Sequence, residues 1–155
     1  MILTTLCFLI DGDKVLLAMK KRGFGMGKLN GVGGKVDPDE EIIKAAIREA
    51  EEEIGVKIAL TDAKHHARIL FSFDHKPDWN QECHVYVSEK WQGDPQETEE
   101  MKPDWFKMAE LPFQQMWVDD AIWLPKVLAR ERIEAEFHFT NDGKEILSHT
   151  IKVIS

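Results

Sequence analysis

Apolar positions along this chain follow two periods, and the change from one to the other marks out its elements. Ile2 to Ile10 is a nearly unbroken apolar run, as expected of a buried strand. Asp11-Gly12-Asp13 reads as a turn and Lys14 to Lys21 as the returning strand of a hairpin. Arg22 to Asn30 sets Gly23, Gly25 and Gly27 around Phe24, which predicts a loop with unusual backbone angles. The period then turns helical. Ile43, Ala46, Ile47, Ala50 and Ile54 form one apolar stripe, and Gly55 stops it. Asp37 or Asp39 is expected to cap this helix, Pro38 to occupy its first turn, and Glu40 and Glu41 to lie at its positive end.

The second half is mostly strands. Val56 to Leu60 reads as short and extended, Ala67 to Phe73 and Glu82 to Ser88 as strands, and Trp105 to Met108 as a short strand. Between them lie a polar loop, Asp74 to Gln81, with Pro77 and Trp79, and an acidic loop from Trp91 to Met101. A second helix is expected over residues 119–130, with Pro125 inside it. Ile133, Ala135, Phe137 and Phe139 alternate with polar residues, Asn141-Asp142-Gly143 turns the chain, and Leu147, Ile151 and Val153 return, so a terminal hairpin should join the sheet. Mixed strands with two helices predict an α/β fold, an α/β/α sandwich with a mixed β-sheet, as a single domain over residues 1–155.

Composition narrows the function. A chain of 155 residues with 43% hydrophobic and 31% charged residues suits one globular domain. A net charge of −8 argues against a broad nucleic-acid surface. The two cysteines, Cys7 and Cys83, are too few for a disulfide framework. The opening apolar run lacks a basic start and is too short to span a bilayer, so a cytoplasmic protein without a membrane partner is expected. The glycine loop is not a dinucleotide fingerprint, because Asn30 stands where the third glycine belongs. Gly33-Gly34-Lys35 is not a Walker loop, because Val36 stands where Ser or Thr is needed.

The chemistry concentrates at the end of the first helix. Glu49, Glu52 and Glu53 fall at i, i+3 and i+4, so they share a face. They meet the negative end of the helix dipole and repel one another. A hard cation with oxygen ligands removes that conflict, and Mg²⁺ takes a few carboxylates together with substrate phosphates. The bland alternative is a solvated acidic face.

The stretch Gly34 to Val56 resembles the signature of the Nudix hydrolases: a glycine, five residues, Glu, seven residues, then Arg-Glu-apolar-x-Glu-Glu-x-Gly-apolar. Gly34, Glu40, Arg48, Glu49, Ala50, Glu52, Glu53, Gly55 and Val56 fill its fixed positions, with Ala50 small for its slot. The resemblance implies hydrolysis of a nucleoside diphosphate linked to another group, with Mg²⁺ or Mn²⁺ as cofactor. It implies Glu49, Glu52 and Glu53 as metal ligands, joined by the Gly33 carbonyl and by Glu100, whose alternative is an exposed loop acid. Arg48 would orient a glutamate, Glu40 would tie loop to helix, and either Glu52 or Glu53 could be the general base.

The resemblance is closer to the branch of that family that removes oxidised purine nucleoside triphosphates such as 8-oxo-dGTP and 2-hydroxy-dATP. It rests on residues 19–36, on Glu99 to Phe106 and on Pro112 to Pro125. It implies a base pocket built from Thr5, Lys20, Phe24, Asn30, Phe71, Trp117 and the Asp119-Asp120 pair. Trp117 offers a face for stacking and Asn30 both a donor and an acceptor. Two adjacent aspartates that share a proton can meet either a donor or an acceptor edge. The competing readings are a helix cap for Asp119 or Asp120 and strand core for Phe71. Trp79, Trp91, Trp105 and Trp123 are read as packing or loop residues. The chain departs from that branch at the Asp74–Gln81 loop, one residue longer, where Asn80 or Gln81 replaces an apolar residue that closes the pocket. Leu29 and Val118 are further departures. Other readings are a pyrophosphatase of broader taste (ordinary dNTPs, RNA 5′ ends, dinucleoside polyphosphates) and a noncatalytic nucleotide sensor. A monomer acting on a nucleoside triphosphate is expected.

Overall fold

A computed structural model describes residues 1–155. Eight strands and two helices follow in the order β1 (Ile2–Asp11), β2 (Lys14–Lys20), β3 (Leu29–Asn30), α1 (Ile42–Ile54), β4 (Lys64–Phe73), β5 (Gln81–Ser88), β6 (Met101–Lys107), α2 (Asp120–Leu128), β7 (Ile133–Phe139) and β8 (Ile146–Val153). The sheet runs β3-β2-β1-β5-β4-β7-β8, with β6 on β2. It is mixed: β1 pairs parallel with β5, and β4 parallel with β7, while the other pairs are antiparallel. No helix is long and apolar enough to cross a membrane.

Alternation along β1 builds both layers. Phe8 and Ile10 pack on one face with Trp123, Leu124 and Val127 of α2. Cys7 and Leu9 pack on the other with Ala46, Ala50 and Ile54 of α1. Side chains of a strand point alternately to opposite faces, so an unbroken apolar run is what a strand between two helical layers requires.

Beyond the hairpin turn, β1 and β2 splay apart. They pair at Ile10 with Val15 and at Asp11 with Lys14. Farther down, the segment Val32–Val36 lies along β1 instead: the Cys7 N–H donates to the Val32 carbonyl at 2.6 Å and the Thr5 N–H to the Gly34 carbonyl at 2.9 Å. This gap is what positions the functional site.

Three expectations need correction. The α1 helix begins at Ile42, and Glu41, its N-cap, makes no side-chain cap bond. Asp39 takes a left-handed φ of 64° and Pro38 lies before the helix, so neither Asp37 nor Asp39 caps it. Glu40 is drawn away by Arg48, whose guanidinium it accepts at 2.8 and 3.0 Å, and by the Asp37 N–H at 3.0 Å. Two charge-assisted bonds outweigh one cap. Strand β6 is longer than expected, starting at Met101 with Pro103 inside it. Proline is tolerated because β6 pairs only with β2, at an edge where its missing N–H faces away from the ladder. The α2 helix is shorter than expected, Asp120–Leu128.

Candidate active site

The end of α1 is stitched to two other segments. The Gly33 N–H donates to Glu53 Oε1 at 2.9 Å. The Thr98 hydroxyl donates to the Glu53 carbonyl at 2.8 Å, and the Gln96 N–H to the Ile54 carbonyl at 2.8 Å. The acidic loop thereby satisfies carbonyls that a helix C-terminus leaves open. The Lys21 N–H donates to the Glu100 carbonyl at 2.9 Å, which ties that loop to the end of β2.

Two glycines make this close approach possible. A Cβ on Gly33 would lie 1.8 Å from the Thr5 carbonyl oxygen. A Cβ on Gly34 would lie 2.7–2.9 Å from the carboxyl group of Glu49.

The carboxylates differ sharply in surroundings. Glu53 is 2% exposed; burial pushes its pKa up to about 8, and the charges of Glu49 and Glu100 add to that. Burial also raises Glu49, against the pull of Arg48. Arg48 donates to Glu49 at 2.9 Å and to exposed Glu52 at 3.2 Å, and its bond to Glu40 holds that acid down to about 2. Glu100 lies 3.4 Å from Arg22. No three of these acids are drawn in to the spacing of a closed metal cage; Arg48 stands among Glu40, Glu49 and Glu52 instead. Their chemistry still fits a hard divalent cation. The donors are all oxygen, Glu53 is a buried acid with carboxylates around it, and the Gly33 carbonyl accepts no backbone hydrogen bond.

Next to this acidic end, a cleft of about 310 Å³ opens between the splayed strands. Thr5, Lys20, Phe24, Asn30, Phe71, Trp117 and Asp119 all line it, as does Gly33. Asp120 is not among the lining residues; it is 2% exposed and its N–H donates to the Trp117 carbonyl at 3.1 Å. Thr5 is equally buried, and its hydroxyl has no partner. Phe24 stacks on Trp117 with ring centroids 5.3 Å apart, and Lys28 Nζ lies 5.4 Å from the same indole.

The aspartate pair is not a helix cap. Asp119 has helical dihedrals and makes no capping bond; its Oδ2 accepts from Trp123 Nε1 at 2.7 Å. So Trp123, read from sequence as packing, also holds an acid of the cleft. Burial raises the pKa of both aspartates, and the charge of Asp119 raises Asp120 further. Asp120 Oδ2 is buried without a partner. A raised acid contributes stability fully below its unfolded pKa and loses it as pH rises through the folded one. Asp120→Asn is therefore expected to raise the thermal midpoint by a few degrees at pH 7.5, on the order of 2–4 °C per kcal/mol, and by much less at pH 4. Calorimetric melts across that range check this.

Several lining residues escape sequence reading. Phe73 and Phe139 stack at 5.1 Å, and Phe71 lies 5.9 Å from Phe139, so the terminal hairpin supplies part of the wall. The alternation of Phe71 with Phe73, and of Phe137 with Phe139, was the available signal. Trp79, taken as a loop residue, packs edge-on against Phe24 at 5.4 Å and Phe73 at 5.6 Å. Thr4 and Cys83 also line the cleft; so does Gln81, and not Asn80, of the two residues expected in place of an apolar one that closes the pocket.

Comparisons agree with this architecture. Residues 2–127 match the family described as the NUDIX domain. The chain is 41% identical over 138 residues to the oxidized purine nucleoside triphosphate hydrolase of Danio rerio, covering 88% of this chain and 86% of that one. It is 38% identical over 152 residues to the protein of the same name from Mus musculus, covering 98% and 95%. Among solved structures, the MutT protein of Bacillus halodurans superposes with a TM-score of 0.84 at 27% identity, over 98% of each chain. With the matched region spanning the glycine loop, α1 and the cleft, the chain belongs to the Nudix hydrolase family.

Proposed function

We propose that this enzyme hydrolyses oxidised purine nucleoside triphosphates, such as 8-oxo-dGTP and 2-hydroxy-dATP, to the monophosphate and pyrophosphate, and so clears them from the nucleotide pool. The observation that carries this is one cleft with an aromatic wall and a buried aspartate at one part and Lys20 and Gly33 at another, next to the Glu53 carboxylate. The names of the relatives from Danio rerio and Mus musculus support it.

Glu49, Glu52, Glu53, Glu100 and the Gly33 carbonyl would hold the metal, which we take to be Mg²⁺. When bound, that cation supplies charge neutralisation on the polyphosphate and activation of water. The protein's own part is largely positioning. Gly33 and Thr98 fix Glu53. Arg48 fixes Glu49 and Glu52 against Glu40. Lys20 sets a cation beside the phosphates, and Glu52 or Glu53 accepts the proton. Trp117, with Phe24 packed on it, offers the face on which the base stacks, while Asn30 and Asp119, with Asp120, read its edge. Oxidised guanine presents N7–H and a C8 carbonyl where guanine presents an acceptor and C8–H. A protonated and an ionised aspartate side by side can meet either edge. The reading includes one domain over residues 1–155, acting as a monomer in the cytoplasm on free nucleotides.

The test is pyrophosphate release with Mg²⁺ across 8-oxo-dGTP, 2-hydroxy-dATP and the four ordinary dNTPs. Faster turnover of the two oxidised substrates is the expected result. Equal kcat/KM for dGTP and 8-oxo-dGTP would leave a hydrolase of broader taste.

A further inference from the structure

Gln81 places a primary amide in an otherwise aromatic part of the cleft. It opens β5, directly opposite Phe71 of β4 and beside Ile2 of β1. Phe71, Phe73 and Phe139 line the same cleft. Its orientation is set from β1: the Thr4 hydroxyl donates to Gln81 Oε1 at 3.3 Å. That bond turns the amide oxygen of Gln81 toward β1. The Gln81 nitrogen is left with two N–H groups and no side-chain or backbone acceptor.

A half-buried donor among phenyl rings is satisfied by an acceptor that the ligand brings. Adenine carries no exocyclic oxygen, and oxidation gives it one. Guanine carries one, at C6, and oxidation adds a second, at C8. We propose that Gln81 is a specificity-determining residue, held by Thr4, whose amide donates to an exocyclic oxygen of the base and so favours purines that carry one. The proposal rests on the hydrolase reading above and adds to the Asn30 and aspartate contacts a group that reads an exocyclic oxygen of the base. A site built to bond such a group discriminates strongly against an analogue that lacks it.

The test is kcat/KM of wild type, Gln81→Met, Gln81→Glu and Thr4→Val on dATP, which has no exocyclic oxygen, and on dITP, 2-hydroxy-dATP and 8-oxo-dATP, which carry one at C6, C2 and C8. Methionine keeps the length and removes the donor. Glutamate keeps the shape and offers only acceptors. Both are expected to cost at least one oxygen-bearing substrate ten-fold or more relative to dATP, and the most affected substrate identifies the position that is read. Thr4→Val is expected to shift the same ratio by a few-fold. A parallel measurement is calorimetric binding of the corresponding monophosphates, with melting curves to establish folding. Equal loss on dATP and on the oxygen-bearing substrates, or ratios unchanged in both Gln81 variants, overturns the proposal. If wild type turns over none of the triphosphates, the hydrolase reading fails, and the monophosphate affinities still decide the role of Gln81 by the same ratios.

Discussion

Glu53→Gln is expected to lower kcat by about 10³-fold, within the 10²–10⁴-fold range typical of losing a positioned proton-transfer group, while making the metal-free protein more heat-stable. The two effects have one cause. Glu53 is nearly sealed from solvent and surrounded by the charges of Glu49 and Glu100. Glutamine can still accept the Gly33 N–H that Glu53 Oε1 accepts at 2.9 Å, so the loop keeps its anchor. What disappears is a charge that burial disfavours and that a divalent cation needs. The measurement is kcat with Mg²⁺, together with melts with and without millimolar Mg²⁺ and a nonhydrolysable substrate analogue. Wild type should gain stability from metal and analogue, and the variant should gain far less. Full Mg²⁺-dependent turnover in a well-folded Glu53→Gln would sink the assignment of this helix end to the chemistry.

The second large effect is expected at Asp119. Asparagine keeps an oxygen for Trp123 Nε1, which Asp119 Oδ2 now meets at 2.7 Å, so the fold of α2 should survive. It replaces a carboxyl that can gain or lose a proton with an amide that cannot. Asp119→Asn should reduce kcat/KM for 8-oxo-dGTP by about 10²-fold, consistent with leaving a buried polar group mispaired, with a much smaller change for dGTP. The loss should fall mainly in KM, because the phosphate end is untouched. Selectivity that survives unchanged would return the aspartate pair to a purely structural role.

Much of this was legible because it is written in short-range spacing. The stripe Ile43 to Ile54 and the acids at i, i+3 and i+4 determine one another through helical geometry. The Nudix signature adds Gly34, which lets Glu49 approach a loop. The alternation of β1 foretold two layers, since residues of opposite parity face α2 and α1. What escaped reading depends on contacts between distant segments. Nothing near Thr98 in the chain announces that its hydroxyl bonds the Glu53 carbonyl. Nothing near Thr4 announces Gln81, 77 residues away. The missed cap has a similar origin: Glu40 looks like a first-turn acid until Arg48, eight residues on, claims it. Trp79 was set aside because a tryptophan in a polar loop has no periodicity to give it a face, and only the packed loop brings it against Phe24 and Phe73.

The splay between β1 and β2 has an evolutionary consequence. Neighbouring residues of β1 serve the two ends of the cleft: the Thr5 backbone holds the loop that anchors Glu53, and the Thr4 side chain holds Gln81. Displacing the strand would disturb both ends together. Replacing a single side chain on the cleft wall disturbs one. New tastes in substrate should therefore arise in this scaffold by exchanging wall residues one at a time, with the hydrolytic end inherited unaltered.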